Sequence, residues 1–299
     1  MLFFFIFLIA TVFSVDKIIG RIYPIFGALL LIMVVVMFSA LVLNPGYSIP
    51  EFTTQGLYLT DKSVFPYLFV TIACGAISGF HASQSPIVAR CIENERDSRP
   101  VFYGAMVLEG LVALCWAAIA MAFFHGQPQL AVFYGASPSV AVNEMAMVLV
   151  GPVGLVLTVF GVVVCPITTG DTALRSSRIT LADVLGINNE TLLSRFKIAV
   201  PLFLVSFCLT FVDFSLIWRY FSLFQLIIAT IVLYSVTVYL IRMRKLFIIS
   251  FLPAIVCTLI SFAYVFQSSE CLGLPSLLSN VMAIILTVVI GVLFIGKYR

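Results

Sequence analysis

The sequence has 299 residues, 62% of them hydrophobic and only 10% charged, with a formal net charge of +3. Its mean hydropathy is +1.18. So few charges cannot cover the surface of a soluble domain, so the composition defines a polytopic membrane protein. There is no basic run or nucleic-acid motif, and no nucleic-acid partner is expected. The 7 cysteines make no CxxC pair and the 2 histidines stand far apart, which leaves no metal-ligand pattern.

In chain order, apolar segments can be drawn at about 1–15, 22–43, 66–89, 102–124, 145–167, 197–213, 217–241, 246–266 and 277–296, which makes nine spans in an all-α helix bundle. Residues 1–15 lack the basic start and small-residue cleavage site of a signal peptide, and they read as the tail end of a helix. All of the 16 lysines and arginines except Lys62 and Arg219 fall in alternate connections. That asymmetry places those connections in the cytoplasm, with the C-terminus inside and Met1 outside. A half-length first helix with an outside start leads us to expect a chain that begins partway through a longer architecture.

The third segment carries the most unusual chemistry. It runs TIACGAISGFHASQSPIVAR from Thr71 to Arg90. Gly75 and Gly79 form a small-residue face on which a helix can pack closely. Ser78, His81 and Ser85 share one helical face, Gln84 lies beside them, and Pro86 removes a backbone donor just beyond. Polar groups converging where glycine and proline loosen a span make a midplane binding site. The competing account is a kinked packing helix whose polar groups bond a neighbour. The residues leave both open.

Glu109 lies in the next span, on the order of 10 Å from its start at 1.5 Å per residue. A carboxylate there must face protein or water. It is either a proton carrier or a packed acid bonded to a neighbouring helix. The fifth span holds Gly151, Pro152, Gly154 and Gly161, with Pro166 and Gly170 marking its end. Thr169 or Asp171 can then cap a new helix. Asp171, Arg175 and Arg178 share a face of that helix, with Asp171 and Arg175 at ion-pair spacing. We expect it to span 168–186 and to lie either along the cytoplasmic interface or beside a gate. Farther on, Asp213 and Arg219 are close enough in sequence for a local ion pair beside Trp218 and Tyr220. Gln225 is the only strongly polar side chain in its span before the cytoplasmic end.

Three stretches, GAISGFHASQSPIVARC, FYGAMVLEGLVALCWAAIAMAFF and GVVVCPITTGDTALRSSRITLAD, closely resemble the carbon-starvation protein A family of bacterial inner-membrane transporters. RIYPIFGALLLIM, DFSLIWRYF, ATIVLYSVTVYLI and FLPAI fit it as well, so the resemblance covers nearly the whole chain. It implies a secondary transporter of the cell inner membrane, made during nutrient starvation and linked to peptide uptake, with pyruvate–proton symport attributed to close relatives. It also implies a LeuT-like inverted-repeat fold, whose substrates sit where helices are broken. On that footing Ser78, His81, Gln84 and Ser85 are pocket candidates, Thr168, Thr169 and Asp171 stand second, and His81 and Glu109 are the proton-coupling candidates. The implied partners are a small peptide or monocarboxylate and the lipid bilayer.

Two departures from the family pattern matter. The family's front helices have no counterpart here, so the resemblance implies an N-terminally truncated member, or one half of a split transporter whose N-terminal half is separately encoded. The family's Asn-Gln pair after WRYF stands here as Gln225-Leu226. No cofactor motif occurs, and His81, Glu109 and Asp171 form no nucleophile–base arrangement, so an enzyme is not expected.

Overall fold

The structure is a computed structural model that describes residues 16–49, 51, 63–76, 79–124, 138–158, 161, 164–187 and 191–298. The regular elements among the described residues are all helices, and six of them are long and apolar enough to cross a membrane. Segment 1–15 and His125 lie outside the described residues. The chain divides into two compact units, Met1–Leu59 with Ala89–Cys208 and Thr60–Val88 with Leu209–Arg299.

The first unit opens with α1 (Asp16–Leu43). Helices α2 (Val64–Ala76) and α3 (Gly79–Cys91) follow in sequence, and all but the end of α3 belong to the second unit. A short 3-10 turn (Glu95–Asp97) and a π-helical turn (Arg99–Gly104) lead into α4 (Ala105–Phe123). Met33, Met37 and Leu41 recur at helical spacing on α1 and pack on Ile119 and Ala122 of α4. Ala141, Met145 and Ala146 of α5 (Pro138–Val150) complete this core.

The span drawn at 145–167 is not one helix, which corrects the sequence reading. Gly151 takes φ +77°, a left-handed conformation costly for any residue with a Cβ, and its N–H bonds to the Met147 carbonyl at 2.9 Å to close α5. Pro152 then begins α6 (Pro152–Thr158), where a missing N–H costs nothing. Helix α7 runs Val164–Leu185 straight through Pro166 and Gly170, which therefore end nothing. Pro166 is tolerated because it falls in the first turn, whose N–H groups have no intrahelical acceptor. Thr169 and Asp171 accordingly lie inside α7 and do not cap it. Gly186 closes the helix at φ +64°, with Ile187 N–H bonded to the Ala182 carbonyl. Leu174 of α7 packs on Phe196, Ala199 and Phe203 of α8 (Leu192–Leu209).

The second unit is built on α9 (Phe214–Arg242), α10 (Ile248–Gln267) and α11 (Ser276–Tyr298). Val70 of α2 joins Leu223 and Leu226 of α9 and Cys257, Ile260 and Tyr264 of α10 in one buried cluster. Ala263 and Ala283 bring α10 and α11 together. Hydroxyls buried in these helices donate to their own helix carbonyls, as Thr230 does to Leu226 and Thr258 to Ala254, each at 2.7 Å. Others bond across the helix pair: Thr237 meets Ser250 at 2.9 Å, and Tyr234 meets Thr258 at 3.1 Å. With apolar surroundings on all sides, such bonds hold helices together where hydrophobic transfer cannot.

The expected Asp213–Arg219 pair is replaced by two other contacts. Asp213 is the N-cap of α9, accepting from Ser215 N–H at 2.9 Å and Leu216 N–H at 3.1 Å. Arg219 Nε instead meets Glu270 Oε1 at 2.7 Å, and the Tyr220 hydroxyl donates to the Glu270 carbonyl. The α10–α11 turn is thereby tied to the start of α9. A cap satisfies two orphan N–H groups at once, which the isolated ion pair does not.

Candidate substrate site

The span drawn at 66–89 is described as two helical stretches. Helix α2 ends at Ala76 and α3 begins at Gly79, with residues 77–78 outside the described set. Ser78 falls there, so its expected place on the site face lies outside the described residues. Helix α3 brings His81, Gln84 and Ser85 together at spacings of three and four on one face. The Ser85 hydroxyl donates to the His81 carbonyl at 2.7 Å, so its proton is spent on the helix while its lone pairs stay open. His81 is half-buried.

Gln84 is the sharpest feature of this face. Its side chain is only 9% exposed, and its Nε2 is buried with no hydrogen-bond partner among the described residues. A buried amide left unpaired costs about 1–3 kcal/mol, so a native structure keeps one where something else completes it. As a donor it suits a carboxylate or carbonyl oxygen. Gln225 on α9 is its counterpart in chemistry: 8% exposed, with Oε1 buried and unpartnered among the described residues. Sequence reasoning left Gln225 out of the site, although its isolation as the one strongly polar side chain of its span was the available signal.

The remaining candidates belong to the first unit. On α7 the Asp171 carboxylate is buried and accepts from Arg175 Nη2 at 3.3 Å. Arg178, one turn on, is also buried, and burial together with the charges of Arg195 and Arg175 pushes its guanidinium below its ordinary value. This face of α7 is turned into protein rather than water. Thr169 is exposed, and the side chain of Thr168 lies outside the described set. Glu109 is exposed on α4, as the fifth residue of that helix. Counted from Ala105, it sits about 6 Å along α4.

Six helices long and apolar enough to cross a membrane among the described residues define a multi-pass α-helical membrane protein. The family model described as "Carbon starvation protein CstA" matches residues 1–148. An uncharacterized membrane protein of Haemophilus influenzae is 44% identical over 142 residues, 42% of this chain and 38% of that one. The pyruvate/proton symporter BtsT of Escherichia coli is 44% identical over 79 residues, 24% of this chain and 11% of its own length. The peptide transporter CstA of Campylobacter jejuni is 44% identical over 88 residues, 27% of this chain and 12% of its own. The chain belongs to the CstA family. It spans well under half the length of these relatives. No solved structure matches it.

Proposed function

We propose that the chain is part of a secondary transporter of the cell inner membrane that takes up peptides, with the face of α3 as part of its substrate site. The observation that carries this reading is the buried Nε2 of Gln84, which has no partner among the described residues and lies one turn from half-buried His81 on α3. A peptide offers carbonyl and carboxylate oxygens to such a donor, and an imidazole exchanges protons near neutral pH. His81 contacts an anionic substrate group or relays the coupling proton, and Glu109 serves as a second relay. Ser78, Ser85, Thr168, Thr169 and Asp171 are further candidates. The similarity to a protein named as a peptide transporter supports the substrate class.

A second reading, symport of pyruvate with a proton, is favoured by the match to a pyruvate/proton symporter. Both substrates present a carboxylate to the same donor. In either case the chain acts as a carrier and not as an enzyme, and it needs no cofactor. Nine spans in a LeuT-like arrangement, cytoplasmic positive loops, an inside C-terminus and α7 along the cytoplasmic interface complete the proposal. A separately encoded polypeptide supplies the family helices that this chain does not match.

Uptake of labelled dipeptide and pyruvate by a host lacking both activities tests this. The chain alone is expected to insert without transporting, and co-production with the part of the Haemophilus relative outside the match is expected to give uptake. A chain that stays inert in that combination, although both polypeptides reach the membrane, would instead be a non-transporting membrane subunit.

A further inference from the structure

The two ends of the second unit differ sharply in charge. The unit's stretches of sequence hold three acids, Asp61, Asp213 and Glu270. Asp61 lies outside the described residues. Asp213 caps the start of α9, and Glu270 meets Arg219 just beyond the end of α10. The other end of α10, about 30 Å away at 1.5 Å per residue, carries no acid among the described residues of the unit. It carries cations instead. Arg242 lies in the last turn of α9, Arg244 and Lys245 fill the turn to α10, and Lys297 lies in the last turn of α11, all exposed. A ladder of rings brings them to one end. Phe247 packs on Phe251, Phe251 on Phe294 and Phe294 on Tyr298, with centroids 6.2, 5.8 and 5.0 Å apart. Lys297 Nζ stands 5.6 Å from the Tyr298 ring centroid.

Arg244 is the unexpected member of this group. It takes φ +54°, with its N–H bonded to the Ile241 carbonyl at 3.0 Å and Lys245 N–H bonded to the Leu240 carbonyl at 2.9 Å. Glycine ordinarily fills that helix-closing position, because a Cβ strains it. The arginine side chain is exposed, so what it adds there is charge rather than packing. Directly beyond the turn, Ile248, Ile249 and Leu252 present exposed apolar surface. Cations bordering an apolar wall, where three membrane-crossing helices end, match a phosphate headgroup with its acyl chains. We propose that this end of the second unit is a binding site for an anionic phospholipid. The phosphate sits among Arg242, Arg244, Lys245 and Lys297, and the chains lie along the start of α10. Charge complementarity selects a lipid of net negative charge over a zwitterionic one, whose own ammonium opposes the cations. Lipid binding here does not depend on what the chain carries.

The test is tryptophan quenching in phosphatidylcholine vesicles to which brominated phosphatidylglycerol or brominated phosphatidylcholine is added. The full-length chain has 2 tryptophans, Trp116 and Trp218. With Trp116→Phe, the remaining Trp218 reports on the start of α9, at the acid-bearing end. With Trp116→Phe, Trp218→Phe and Tyr298→Trp, the reporter lies at the basic end. We expect an about fivefold preference for phosphatidylglycerol at the basic end and none at Trp218. Arg242→Gln, Lys245→Gln and Lys297→Gln together should abolish the preference in protein that remains folded. Arg244→Gly relieves the backbone strain, so it should lower the preference about twofold while leaving thermal unfolding unchanged or raised. Equal quenching by the two lipids at the basic end, an equal preference at both ends, or a preference that survives these substitutions would each overturn the proposal. Loss of the preference on adding inorganic phosphate at constant ionic strength would overturn it too, by assigning the cations to a soluble anion.

Discussion

Helices α9 to α11 and helix α4 are equally apolar in sequence, yet they use their polar residues in opposite ways. In α9 and α10 most buried hydroxyls find an acceptor within the chain, on their own carbonyls or across the helix pair. On α4 the Glu109 carboxylate stands exposed near the start of a helix that the chain barely covers. The first arrangement is finished by its own sequence. The buried amide of Gln84 on α3, by contrast, has no partner among the described residues. Such a place is where the proposed substrate site falls.

The comparison can be broken most severely by opening the finished side. Leu226 is fully buried between α2, α9 and α10, so Leu226→Ala should cost about 2–5 kcal/mol through the cavity it leaves. Leu114→Ala on the open side of α4 should stay within about 0.5 kcal/mol. Thermal unfolding in detergent compares the two, and equal losses would mean that α4 is as enclosed as α9. A smaller effect is expected at the turn between α5 and α6. A Cβ on Gly154 would press into the Ala146 carbonyl, a backbone atom that cannot rotate away. Gly154→Ala should cost about 1–3 kcal/mol, read in the same unfolding assay. No loss would show that the two helices separate freely at Gly151.

The smallest effect is electrostatic. Hydrogen bonds from the Ser215 hydroxyl and from the Leu216 and Ser215 N–H groups hold the Asp213 carboxyl below its ordinary value of 3.8. A depressed value means that the cap stabilises the fold fully above the unfolded pKa. That stability is lost as the pH falls through the folded one. Stability should therefore decline only below about pH 4 on this account, and Asp213→Ala should remove that slope while lowering stability slightly at neutral pH. A slope that survives in the variant would assign it to other carboxylates.

How much of this was legible in the sequence follows from the range of the forces involved. Apolar runs long enough to cross a membrane are local, and the helices at 22–43, 217–241, 246–266 and 277–296 sit within a few residues of their expected ends, except that α1 starts earlier, at Asp16. The α3 face of His81, Gln84 and Ser85 was legible from spacing alone. The break at Gly151 was not, because glycine and proline in a span signal either a kink or an end, and only a positive φ separates them. The partner of Arg219 was also hidden, since Glu270 lies 51 positions away and reaches it only through the packing of α9 against the α10–α11 turn. Gln225 was noticed as isolated, but its burial depends on neighbouring helices that no local pattern encodes.

The most direct test of the central claim is uptake by His81→Gln in vesicles holding the co-produced polypeptides, measured across pH 5.5 to 8 with the variant's folding and insertion checked. Glutamine keeps the size and hydrogen-bonding capacity of the side chain but cannot exchange a proton. We expect proton-driven uptake to fall at least a hundredfold with the protein folded in the membrane. An unchanged rate and pH profile would contradict the account and leave α3 as a kinked packing helix.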